Sequence, residues 1–204
     1  MAGVFAERML DRGFTVGSND TTAPIIEASF VDCIMLLEKH LQARPFIFGD
    51  SPSMADFGLA GQLYQMLGDV TGGELMRLHT PQVAMWAERM VNPVAVQGGR
   101  FEEWAALAPT LEPLLSLQVA RFLTWSEANA EAIAAGQEEL SVDLGGQQWT
   151  QSIGGPQRYH AKSLKEIRRK YAEVASDAEL AGVLERCGCL GVLSSSAGGK
   201  QARL

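Results

Sequence analysis

One helix start constrains this chain more than any other feature. In the run Gly49-Asp50-Ser51-Pro52-Ser53-Met54-Ala55-Asp56-Phe57, Ser53 stands where an N-cap belongs. Its hydroxyl is placed to accept from the backbone N–H of Asp56, and the Asp56 carboxylate reaches back to the N–H of Ser53. This reciprocal arrangement is a capping box. Pro52 and Phe57 occupy the two positions of a hydrophobic staple, which sets the angle at which the chain enters the helix.

Helical periodicity extends well beyond that start. Met1 to Arg12 reads as a short amphipathic piece with Val4, Phe5 and Met9 on one side. Ser18 to Thr22 is a polar, cap-rich loop. Pro24 follows in a first helical turn, where its missing N–H costs nothing. Ile26, Phe30, Ile34, Leu37 and Leu41 then recur at helical spacing and predict one core face. The Ser53 helix carries Phe57, Ala60, Leu63, Tyr64 and Leu67, with Gly58 and Gly61 between them. Each glycine lowers helix propensity by about 1 kcal/mol relative to alanine, so close approach of a neighbouring helix is the expected compensation. Pro81 opens a further helix with Val83, Trp86, Ala87 and Met90 on one side, closed by Asn92-Pro93.

Val94 to Arg100 reads as a glycine-containing linker, after which the character changes. Leu111, Leu114, Leu115, Phe122 and Leu123 predict a long helix towards Ala135, stopped by Gly136. Leu140 to Leu144 alternates with period two, turns at Gly145-Gly146 and continues through Gln147 to Thr150, which predicts a β-hairpin. A Gly154-Gly155-Pro156 loop precedes a charged helix from about Ala161 to Ala175, and Ser176 with Glu179 reads as a second capping box. The Ser/Gly-rich tail from Ser194 reads as disordered. The expected organisation is thus 1–93, a helical bundle; 94–193, a helical extension with one hairpin; and 194–204, a tail.

The segment Gly49 to Asp56, with Phe46-Ile47-Phe48 before it and Pro81-x-x-x-x-Trp86-x-x-Arg89-Met90 after it, resembles the Gly-x-x-Pro-Ser/Thr-x-Ala-Asp element of the C-terminal domain of glutathione transferases. The resemblance covers Met1 to about Pro93. It implies an all-α fold, a glutathione transferase C-terminal-like helical bundle. It also implies the part of such a protein that binds an apolar electrophile, with glutathione as co-substrate held by a thioredoxin-like domain. No pattern for that domain precedes Ser18, so the chain is expected to be a fragment of a longer protein and inactive alone, with no cofactor bound by itself. The missing thioredoxin-like domain and a second copy in a homodimer are the implied partners. The alternative is a non-catalytic helical interaction module.

Charge and composition narrow the partners further. A net charge of −7 with pI near 5.0 argues against a nucleic-acid surface, which needs dense Lys and Arg to displace counterions. No window reaches the roughly 20 apolar residues of a membrane helix. Three cysteines and no secretory pattern point to a reducing cytoplasm.

No catalytic residue is assigned within the chain. Ser53 and Asp56 are read as a structural capping pair. His79 is read as an exposed or capping loop residue, and His40 as a cation at a helix C-terminus. Tyr159, His160 and Lys162 follow the Gly-Gly-Pro turn and are the candidate substrate contacts, able to donate to an anionic or carbonyl group. Cys187-Gly188-Cys189 lacks a second ligand pair for zinc, so no metal site is expected; Gly188 reads as a helix C-cap. Lys162, Lys165, Arg168, Arg169 and Lys170, interrupted by Glu166 and Glu173, read as a solvated helix face.

Overall fold

The structure is a computed structural model that describes residues 13–92 and 99–195. The expectations for Val4, Phe5 and Met9, for most of the 94–100 linker and for the tail beyond Ser195 lie outside the described residues. Among the described residues helices dominate, with one two-stranded antiparallel sheet. Contacts divide the chain into two compact units, Ser29–Leu114 and Met1–Ala28 with Leu115–Leu204. These bounds differ from the 1–93 and 94–193 segments read from the sequence. The reason is visible in the core of the first unit, where Leu107, Leu111 and Leu114 are buried beside Ile34, Leu37 and Trp86.

The first unit takes α1 (Ala23–Leu41) from Ser29 onward, then α2 (Met54–Leu67), α3 (Val70–His79), α4 (Pro81–Val91) and α5 (Trp104–Leu114). Ile34, Leu37 and Leu41 of α1 are buried, and Phe30 packs partly buried against them. On α4, Val83, Trp86, Ala87 and Met90 all face the same core. The sequence pattern passed over α3, because Gly72 and Gly73 lower its propensity. Asp69 starts that helix instead, its side chain accepting from the N–H groups of Thr71 at 2.9 Å and Gly72 at 2.8 Å. His79 is therefore the last residue of a helix and not a loop residue.

A polar network ties the end of α1 to α5. His40 is fully buried, with Nε2 2.8 Å from the Ile47 carbonyl oxygen and Nδ1 2.8 Å from Thr110 Oγ1. Arg44 makes two bonds to the Glu102 carboxylate, at 3.0 and 3.2 Å, and also donates to the His40 and Ala106 carbonyls. Burial, more than any dipole interaction, governs His40 and lowers its pKa, with Arg44 adding to the effect; the Ile47 carbonyl and the Glu102 and Asp56 charges oppose it. His40 is thus neutral when folded, donating from Nε2 and accepting at Nδ1. Because its folded pKa lies below the unfolded value of about 6.5, stability is full above that pH and falls as the unfolded chain takes up a proton the folded one refuses. Denaturant midpoints are expected to drop between pH 7.5 and 5 in the wild type, with a shallower slope in His40→Gln. Parallel slopes in the two proteins would remove His40 from the account.

The second unit holds a short 3-10 turn (Gly13–Val16), the first turn of α1, a π-helical stretch (Leu115–Val119), α6 (Ala120–Ala134), β1 (Glu139–Asp143), β2 (Gln148–Ser152), α7 (Gly155–Val174), α8 (Ala178–Arg186) and α9 (Leu190–Ser194). The π stretch follows Pro113. The hairpin pairs Val142 with Trp149, and its turn places both Gly145 and Gly146 at positive φ, as a tight primed turn requires. Gln151 Oε1 accepts from the indole N–H of both Trp149 (2.7 Å) and Trp125 (3.1 Å). Asn19, from the loop before α1, donates to the Thr150 carbonyl at 2.8 Å.

Three expectations need correction in this unit. The Gly154-Gly155-Pro156 loop is in fact the start of α7, because Pro156 suits a first turn and Gln157 Oε1 accepts from the Gly154 N–H at 2.9 Å. The α8 cap is Asp177 rather than Ser176, its carboxylate accepting from the N–H groups of Glu179 and Leu180 at 3.0 Å each. Ser194, placed in the tail by its composition, closes α9.

Candidate functional site

The helix start that anchored the sequence reading is a buried junction. Asp56 is fully buried at N3 and makes the carboxylate half of the expected capping box, whereas the Ser53 hydroxyl donates to that carboxylate and does not cap the Asp56 N–H. Its Oδ2 accepts from the Ser53 N–H at 2.8 Å and from the Ser53 hydroxyl at 2.7 Å. Its Oδ1 accepts from the Ile47 N–H at 2.8 Å and from the Trp86 indole at 3.0 Å. Arg89, one turn beyond Trp86, donates to the Pro45 carbonyl at 2.9 Å and lies over the Phe46 ring. The two separated motifs, Phe46 to Asp56 and Pro81 to Met90, therefore meet at one carboxylate. Its oxygens are taken up by two backbone N–H groups, the Ser53 hydroxyl and the Trp86 indole.

The other side of α2 is open. Ala60, Leu63 and Leu67 face the core, while Met54 is 85% exposed, Phe57 54% and Tyr64 40%. Nothing lies within 4 Å of where a side chain at Gly58 or Gly61 would begin. The expected close approach of a neighbouring helix at these glycines is not present among the described residues. The result is a bare strip of small and large apolar residues along one helix face. Stapling does not shelter Phe57, which stands outward.

Tyr159, His160 and Lys162 lie together on the first turns of α7 but do not converge. Tyr159 is exposed, with the Lys162 ammonium 5.4 Å from its ring centroid. His160 turns to α6, where its ring meets Trp125 edge-on at 5.1 Å and Phe122 at 6.2 Å; Phe122 and Trp125 stack on each other. Within the basic run, Arg168 is not simply solvated. It donates to the Val192 carbonyl at 2.8 Å and pairs with Glu127, tying α9 to α6, while Arg169 is held by Glu166 and Glu173.

Two of the thiols, Cys33 and Cys189, are poor nucleophiles. Burial raises Cys33 and Cys189 to about 11 each, with Cys187 adding to the shift at Cys189, so neither forms appreciable thiolate at neutral pH. Among the described residues no group of three or more His, Cys, Asp or Glu side chains is placed to hold a metal ion. Among the same residues no helix is long and apolar enough to cross a membrane.

No curated protein and no solved structure matches the chain. A family model described as glutathione S-transferase, C-terminal domain, matches residues 7–89. That interval contains the Ser53–Asp56 box, the Trp86 indole that donates to it and the open face of α2. Residues 7–89 are thus similar to the glutathione S-transferase C-terminal domain family, and the described part of that interval is mostly helical.

Proposed function

We propose that this chain is the electrophile-binding part of a glutathione-transferase-like protein that works when joined to a thioredoxin-like domain. The carrying observation is the outward face of α2, where Met54, Phe57, Gly58, Gly61 and Tyr64 form an apolar strip that no described residue covers. A strip of that kind suits a second domain across an electrophile cleft, and exposed apolar surface favours association. The partner domain holds glutathione and lowers its thiol pKa. The thiolate sulfur then forms a bond to an electrophilic carbon, and the leaving group departs with the electron pair. A homodimer and a cytoplasmic location accompany this reading. Tyr159, His160 and Lys162 are retained as proposed substrate contacts, Tyr159 and Lys162 being the exposed pair.

The test compares the full chain alone with the same chain carrying a thioredoxin-like domain fused upstream. Conjugation of glutathione to a chloronitroaromatic electrophile is followed by absorbance. The chain alone is expected to give the uncatalysed rate, and the fusion to exceed it while losing the apolar-dye binding of the isolated chain. Phe57→Asp in the fusion should reduce the rate without changing helix content. Turnover by the chain alone overturns the proposal. A folded but inert fusion also overturns it and favours a non-catalytic helical interaction module.

A further inference from the structure

Outside the family-matched segment, α6 to α9 enclose a groove of about 870 Å³, within the size range of small-molecule sites. Its floor is apolar. Ala161, Leu164, Ala172 and Ala175 follow each other at helical spacing along α7, and Leu190 and Leu193 of α9 face the same space. From Ala161 to Ala175 the stripe runs about 21 Å at 1.5 Å per residue, so the groove is elongated. Alanines keep it open where longer side chains would fill it.

The titratable residues that line it are Lys165, Arg168, Arg169 and Tyr171, with no carboxylate among them. The two arginines are already engaged. Arg168 is held by Glu127 and the Val192 carbonyl, and Arg169 by Glu166 and Glu173. Their methylene stems contribute to the apolar wall, as long cationic side chains do. Lys165 has no hydrogen-bond or ion-pair partner among the described residues, and it stands one turn from the Ala161 end. The groove thus offers one unengaged positive charge near one end and about 15 Å of apolar floor, ten residues of helix, beyond it.

We propose that this groove binds a medium-chain fatty acid, with the carboxylate at Lys165 and the acyl chain laid along α7 towards Ala175 and Leu193. Charge complementarity selects the anion: an unsheltered ammonium at an apolar groove gains a charge-assisted hydrogen bond from a carboxylate and repels a cation. Length selects a chain-like body over a compact one. The groove is distinct from the electrophile contacts proposed above, since none of Tyr159, His160 and Lys162 nor any residue of the α2 strip lines it.

The full-length chain is titrated with dodecanoate below its micelle concentration and followed by calorimetry, with dodecyltrimethylammonium as the cationic analogue. Binding of one dodecanoate per chain is expected, with no heat from the analogue. Lys165→Gln should weaken binding on the order of tenfold or more, the loss of one hydrogen bond to a charge. Ala172→Phe, an exposed helix position, should abolish it by filling the floor. Helix content, read by far-UV circular dichroism, should be unchanged in both variants. Absence of dodecanoate binding overturns the proposal. So does equal binding of the cationic analogue, or wild-type affinity in either folded variant.

Discussion

Asp56→Ala is expected to be the most damaging single substitution in the 29–114 unit, costing on the order of 2–6 kcal/mol for the two buried donors it strands. The size follows from what is stranded. Four donors from three places converge on this carboxylate, which is itself fully buried. Removing the acceptor leaves the Ile47 N–H and the Trp86 indole without the partner they have in a dry interior, and each such group costs about 1–3 kcal/mol. Asp56→Asn should be milder but still harmful, because one of its two polar atoms becomes a donor aimed at donors. Ser53→Ala, which removes one hydroxyl and leaves the backbone bonds to Asp56 intact, should cost only about 0.5–2 kcal/mol. Equilibrium denaturation of the three variants orders them. If Asp56→Ala proved no worse than Ser53→Ala, the carboxylate would be a local helix cap and not a junction.

Gly49→Ala is expected to rank next, at on the order of 3 kcal/mol. Gly49 has φ +126°, a backbone region that L residues rarely adopt, and an added Cβ would stand 2.7 Å from the Arg100 carbonyl oxygen. Backbone, not a flexible side-chain end, is the obstacle. Gly49 pairs with Phe46 on one side and Phe101 on the other, and Asp50 and Glu102 donate to Arg100 and Phe48 across the same strip. Displacing that strip moves Glu102 away from Arg44, so strain and loss of the ion pair act together. Gly58→Ala on the open face of α2 meets nothing within 4 Å and should instead stabilise by about 0.5–1 kcal/mol through helix propensity. Opposite signs in the two melting curves support the contrast; a stabilised Gly49→Ala would contradict it.

Much of the fold was legible because periodicity and burial agree there. The apolar positions of α4 and the later part of α1 are the ones the core takes up, and the alternating run from Leu140 to Thr150 is the hairpin. Local signals failed where a partner distant in sequence, or a weak propensity, decides the outcome. Gly72 and Gly73 concealed α3, and Asp177 sat beside a serine that resembled a better cap. The loop reading of Tyr159, His160 and Lys162 came from a Gly-Gly-Pro string whose proline begins a helix. His160 against Trp125 was invisible to any reading of neighbours, since 35 positions separate them. The convergence of Ile47 and Trp86 on Asp56 had a trace in the sequence, in the joint presence of two motifs, but only coordinates show that they share an atom.

The start of α4 carries a consequence for how the chain assembles. Thr80, at its N-cap, provides no side-chain cap; its hydroxyl points back to the Met76 carbonyl. The first N–H groups of α4 are instead satisfied by Glu38, whose carboxylate accepts from Gln82 at 2.9 Å and Val83 at 3.1 Å. A cap borrowed from more than forty residues upstream cannot help to nucleate the helix it terminates. It becomes available only after the intervening loop has closed, and closure has its own entropic cost. Helix α4 should therefore mature late, after α1 has found its place, and its formation reports on docking rather than on local propensity. During synthesis α1 emerges first, carrying for a helix not yet made a carboxylate, Glu38, whose burial is complete only in the assembled fold.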